Sequence, residues 1–139
     1  MTASVLFVCV RNGGKSQMAA GLMRAAAGTE VEVHSAGTDP GPSINALSAR
    51  SLAEVGVDIS AESPKPIDPK LLRSVDLVVT LGGEATVDAP VGVRVENWDT
   101  DEPSERGIDG IERMRLIRDD IDARVRTLAA RLAGPGAHR

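Results

Sequence analysis

Residues Ser4 to Ser16 read SVLFVCVRNGGKS, and three kinds of local structure follow one another in that stretch. Ser4 to Val8 are apolar and β-branched almost without interruption, which is the composition of a central parallel strand covered on both faces. Asn12, Gly13 and Gly14 end that run in a tight loop. From Ser16 onward Met18, Ala19, Leu22, Met23 and Ala26 recur at helical spacing, and Gly28 is placed to stop the helix. Strand, tight loop and helix in succession form the first unit of an open α/β sheet, a fold that binds ligands at the C-terminal ends of its strands.

Outward from this unit the alternation continues. Val31 and Val33 alternate with polar residues in a second strand that runs into SAGT, Ser35 to Thr38. Ser43 is a candidate cap for a helix carrying Ile44, Leu47, Leu52 and Val55, with Gly56 at its end. Asp68-Pro69 opens a short helix to Ser74, and strands fit Val75 to Leu81 and Val91 to Asn97. Ile108, Ile111, Met114, Ile117, Ile121, Val125, Leu128 and Leu132 fall three or four apart in a long final helix. The expected architecture is one α/β domain over residues 1–133, a four-stranded parallel sheet with helices on both faces. A fraying, flexible tail is expected over 134–139.

Composition narrows the function classes. The chain has 139 residues, 42% apolar and 26% charged, with a net charge of -4, the balance of an ordinary globular domain. Its 16 basic residues are scattered among 20 acidic ones, so no basic stripe is available to neutralise a nucleic-acid backbone. The first apolar run is too short for a membrane span or a leader, so no membrane partner and a cytoplasmic location are expected. His34 and His138 have no acidic or cysteine neighbours at ligand spacing, and no metal is expected. Phe7 and Trp98 are the aromatic residues, which argues for a small, non-aromatic substrate. Trp98 fits a pocket wall or the core equally well.

The chain's single cysteine, Cys9, stands where the first strand meets the loop. Amides converging on a helix N-terminus concentrate partial positive charge there, with Lys15 adding a cation and Ser16 a hydroxyl, and such surroundings favour a thiolate. The same amides, from Val10, Arg11, Asn12, Gly13, Gly14, Lys15 and Ser16, can cradle a tetrahedral oxyanion. Gly13 and Gly14 permit the positive backbone angles that turn consecutive N–H groups inward, and Asn12 tolerates or braces them. The plainer alternative is a buried core thiol beside an ordinary turn. A nucleotide-binding loop is a third reading, because GGKS resembles the end of that pattern. Cys9 stands where the pattern needs Gly, however, and no Asp closes the strand that follows Ser74.

The segments VLFVCVRNGGKS, SAGT, NALSARSLAEVGVDIS, IDPKLLRSVDLVVTL and WDTDEP together resemble the low-molecular-weight protein tyrosine phosphatases and the arsenate reductases built on the same fold. The resemblance implies Cys9 as nucleophile, Asn12 and Ser16 as supports of the loop and thiolate, and Lys15 as the anion-binding cation. It also implies a proton-donating carboxyl before the Pro of WDTDEP, which is Glu102 with Asp101 beside it. The phosphatases carry Arg where Lys15 stands. Relay-type arsenate reductases carry two further cysteines, at places that look like Gly82 and Ala89 here.

What remains is similar to the actinobacterial mycothiol-dependent arsenate reductases, or arsenate-mycothiol transferases. That likeness implies no bound cofactor. It implies an external low-molecular-weight thiol, mycothiol, joined to arsenate with the help of Cys9, and mycoredoxin as the partner that releases arsenite. A phosphatase, or a non-enzymatic oxyanion-binding module, is the alternative.

Overall fold

The computed structural model describes residues 2–133, so the tail 134–139, with His138, lies outside the described residues. Four strands form one parallel sheet in the order β2-β1-β3-β4: β1 Ala3–Cys9, β2 Val31–Gly37, β3 Leu77–Leu81 and β4 Arg94–Trp98. The helices are α1 Lys15–Ala27, α2 Ala46–Ala53, α3 Pro69–Ser74 and α4 Gly110–Ala133.

β1 shows why its sequence is nearly all apolar. Val5, Phe7 and Cys9 point into the core that includes α1, α2 and α4 residues, whereas Leu6 and Val8 join Ala36, Val75 and Val78 in a second cluster on the opposite face, against Leu71 and Leu72 of α3. Helices therefore do cover both faces. After β2 the chain crosses back over β1 to place β3 on its other side. The C-terminal end of β1 is thus the point where strand order reverses, and a crevice opens there between loops that diverge in opposite directions.

α4 buries Met114, Ile117, Ile121, Val125 and Leu128 along one stripe, as its spacing requires. Trp98 is a core residue, buried against Phe7 with ring centroids 5.6 Å apart at 55°. Several boundaries differ from the sequence reading; β3 begins at Leu77 rather than Val75. Asn45, not Ser43, caps α2, its side chain accepting from the Ser48 N–H. β4 begins at Arg94 rather than Val91, since Gly92 takes a φ of +96° and Val91 is fully exposed. Ile108 precedes α4, which starts after Asp109.

Candidate active site

The loop after β1 is held by its carbonyls. Those of Cys9, Val10, Arg11 and Gly13 accept from the N–H groups of Thr38, Asp39, Gly41 and Asn45 at 3.1, 2.8, 2.9 and 2.7 Å. The Asn12 carbonyl accepts from Gln17 Nε2 at 3.2 Å, and that of Gly14 takes the first bond of α1, from Met18. Six consecutive carbonyls are thereby turned outward. A planar peptide points its N–H opposite to its C=O, so the N–H groups of residues 10–15 are turned the other way. The Asn12 N–H does lie 3.2 Å from Cys9 Sγ. The segment that follows β2, from Thr38 to Asn45, is therefore what converts a turn into a ring of inward donors.

Asn12 is the keystone of the ring. It is fully buried and takes the loop's left-handed conformation itself, with φ +55°. Its Oδ1 accepts from Lys65 N at 3.0 Å and Gln17 Nε2 at 3.1 Å, and its Nδ2 donates to Ser16 Oγ at 2.7 Å. Ser16 Oγ in turn lies 2.9 Å from Cys9 Sγ. With the Asn12 amide already donating to that oxygen, the Ser16 hydroxyl proton is free to point at sulfur. Cys9 thus has a hydroxyl and an amide donor within reach, as a thiolate needs. The expectation that Gly13 and Gly14 carry the positive angles is corrected, since neither does. Gly13 is required for another reason: a Cβ there would stand 2.8 Å from the Ser43 carbonyl oxygen, so only glycine lets the loop press against the following segment.

Lys15 opens α1, whose N-terminus has no side-chain cap, and lies 25% exposed with Nζ 3.9 Å from Glu102 Oε1. Glu102 is gripped by Arg113, Nε and Nη2 donating to its two oxygens at 2.7 and 2.8 Å, and it also accepts from Ser104 Oγ at 2.8 Å. The Arg113 hydrogen bond, above all, brings the Glu102 carboxyl down from 4.5 to about 2. Asp101 turns away, paired with Arg106 through bonds of 2.8 and 3.0 Å. Of the two acids, Glu102 is the one that faces the loop. Arg11 is exposed and paired with Asp39 at 2.9 Å. Val10 and Gly82 lie in a groove beside Lys15, whereas Ala89 lies elsewhere, near Leu72 and Arg73. Among the described residues no three His, Cys, Asp or Glu side chains gather as a metal site.

Gln17, Lys65 and Arg113 went unread in the sequence. Gln17 and Lys65 reach the loop from its far side, and the Lys65 ammonium lies 3.2 Å from Ser35 Oγ, where burial pushes its pKa down. In the sequence Gln17 is only a polar residue one place after Ser16, and its burial against the loop appears with the fold.

A doubly wound parallel domain whose single cysteine sits in the loop at the reversal point of the sheet, its sulfur within reach of a hydroxyl and a backbone amide, defines the class of the protein. Within that class the chain belongs to the low molecular weight phosphotyrosine protein phosphatase family, which its residues 4–136 match. It is 33% identical over 134 residues to an arsenate reductase of Bacillus licheniformis, covering 91% of this chain and 94% of that one. An arsenate reductase of Bacillus subtilis (strain 168) is 34% identical over 131 residues, with 90% and 94% covered. Among solved structures, an arsenate reductase in the phosphate binding state superposes with a TM-score of 0.79 at 28% identity, over 94% of this chain and 99% of the other. A thioredoxin-dependent arsenate reductase of Corynebacterium glutamicum superposes at 0.76 and 36% identity, over 91% of this chain and 60% of that longer one. No helix among the described residues is long and apolar enough to cross a membrane.

Proposed function

We propose that the protein is an arsenate reductase that uses Cys9 to pass arsenate to an external low-molecular-weight thiol, mycothiol, with mycoredoxin releasing arsenite. One observation carries the reading: the loop turns its carbonyls outward and brings the Asn12 N–H to 3.2 Å from Cys9 Sγ, and Cys9 is the chain's single cysteine. Similarity to several arsenate reductases supports the substrate. The same observation sets the chain apart from a relay through an internal disulfide, for which no second sulfur nucleophile exists.

The steps balance as follows. Cys9 Sγ attacks arsenic, and one arsenate oxygen leaves as water. Glu102, ionised in the resting site, takes a proton from the bound protonated oxyanion and returns it to the leaving oxygen, while the loop amides and Lys15 hold the remaining charge. The external thiolate then attacks arsenic, the bond to Sγ breaks, and the electron pair returns to Cys9. Arsenic is reduced only outside the site. A thiol of the partner attacks the sulfur of the arseno-thiol, a disulfide forms, and the As–S electron pair leaves with arsenite. A reaction that consumes thiols fits a reducing compartment, so this reading places the protein in the cytoplasm.

Phosphatase activity is the second reading, favoured by the same ring and the family match. Lys15 weakens it, because an ammonium lacks the bidentate fork that matches a phosphoryl group. The test follows arsenite release with thioredoxin and its reductase, then with mycothiol and mycoredoxin, beside hydrolysis of an aryl phosphate. Sustained release with the mycothiol system alone is the expected result. Release with thioredoxin alone, or phosphate hydrolysis without thiol-dependent arsenate turnover, overturns it.

A further inference from the structure

Two grooves meet at Lys15, and their charges are opposite. The first, about 440 Å³, runs past Gly82 and Gly83 and is lined by four carboxylates: Glu84, Asp99, Glu102 and Glu105. The second, about 710 Å³, runs along the outer side of Gly13 and Gly14, has Ile44 and Met114 in its lining, and carries Arg11 and Arg113 with no acidic residue lining it. Its volume falls in the range of about 300–1,000 Å³ that small-molecule sites occupy. An oxyanion held by amides needs little of that room.

We infer that this second, cationic groove is the docking site of the thiol co-substrate, a cysteinyl thiol extended by a polar body rich in amide, hydroxyl or carboxylate oxygens. The inference rests on the proposed thiol-dependent reaction, and three features of the groove argue it. First, its wall includes Gly13, Gly14 and Lys15 of the loop that carries Cys9, so a ligand lying in it sits against that loop.

Second, the attacking species is a thiolate approaching an anion. Lys15 lines both grooves, but the first sets four carboxylates beside it and the second sets Arg11 and Arg113 beside it with no carboxylate, so the second repels an approaching thiolate less. Both arginines are ion-paired, to Asp39 and Glu102, and those two carboxylates lie outside the lining. Third, its lining suits an amphipathic body. Ile44 and Met114 offer apolar surface to a carbon skeleton, and Arg11 and Arg113 offer donors to its oxygens.

Two substitutions separate the grooves. Ile44→Trp fills the cationic groove, and Gly83→Trp fills the acidic one, where a Cβ meets no atom within 4 Å. Steady-state assays with mycothiol should show the thiol KM raised tenfold or more by Ile44→Trp, with the arsenate KM changed less than twofold, and little change from Gly83→Trp. The reverse pattern overturns the assignment.

A binding experiment needs no turnover. S-methyl mycothiol and S-methyl glutathione, neither of which can react, are titrated into the 15N-labelled wild-type protein. Amide shifts confined to Gly13, Gly14, Ile44 and Ser48 are expected. The tighter of the two ligands tells whether a sugar or a peptide body is preferred. Shifts at Gly82 to Glu84 instead, or none with either compound at millimolar concentration, overturn the inference. Groove binding in a protein that turns over no arsenate would leave the docking site standing and sink the proposed reaction.

Discussion

Arg113→Met removes the group that most depresses the Glu102 pKa, and its cost follows from the pair's geometry. The guanidinium makes two bonds of 2.7 and 2.8 Å to a carboxylate whose pKa falls from 4.5 to about 2. At 1.36 kcal/mol per pH unit that fall corresponds to roughly 3 kcal/mol. Both side chains are about 30% exposed, and solvent screening leaves about 1 kcal/mol for the pair. The sign is fixed by linkage. A carboxyl whose folded pKa is depressed stabilises the fold fully above its unfolded value near 4.5, and the contribution is lost as pH falls toward 2.

Urea unfolding of wild type and variant should therefore differ by about 1 kcal/mol at pH 7, and by progressively less as pH falls below about 4.5. The other depressed carboxyls, Glu54, Asp58, Glu96 and Asp101, are common to both proteins and cancel in the difference. Catalysis reports on the same group. If Glu102 must be ionised to take the substrate's proton, the acidic limb of kcat/KM, out of reach in the wild type, should rise toward the ordinary carboxyl range in the variant, the Ser104 hydrogen bonds still holding it somewhat below that range. A stability difference constant from pH 7 to 3, or a wild-type Glu102 carbon signal titrating near 4.5, would refute the reasoning.

Cys9→Ser should abolish arsenate turnover while sulfate binding measured by calorimetry persists, because a hydroxyl in the same amide ring stays protonated and is a poor nucleophile. Asn12→Ala leaves the Lys65 amide without its acceptor and puts a side chain other than Asn or Gly at φ +55°, so urea unfolding should show a loss of about 2–4 kcal/mol. Glu102→Gln should lower kcat roughly 10²–10⁴-fold and Asp101→Asn much less, since Asp101 is turned to Arg106; equal losses would remove Glu102 from its role. Lys15→Arg should raise aryl phosphate hydrolysis above the wild-type rate, and an unchanged rate would show that the bidentate fork is not what the site lacks.

The parts of this molecule that could be read from the chain are those fixed by neighbours in sequence. A strand buried on both faces has to be apolar throughout, so Ser4 to Val8 announced a central position. The stripe from Ile111 to Leu132 announced a helix on the sheet. Cys9 stood out because strand end, glycines, Lys15 and Ser16 lie within eight residues.

Distance in sequence hid the rest. The loop is shaped by bonds to Thr38, Asp39, Gly41, Asn45 and Lys65, none of which differs in type from residues of an ordinary surface loop. Ser43 and Asn45 are both competent caps, and a bond from the Asn45 amide to Gly13 selects the second. Charge was the least legible of all. Along the chain, acids and bases alternate and predict an evenly mixed surface. Arg113 reads as one more solvated residue of α4 until folding brings it against Glu102. The sheet's reversal point gathers Arg11 and Arg113 on one side of Lys15 and Glu84, Asp99 and Glu105 on the other. A field that favours one route to Cys9 over another thus arises from topology acting on an unremarkable composition, and only the folded chain contains it.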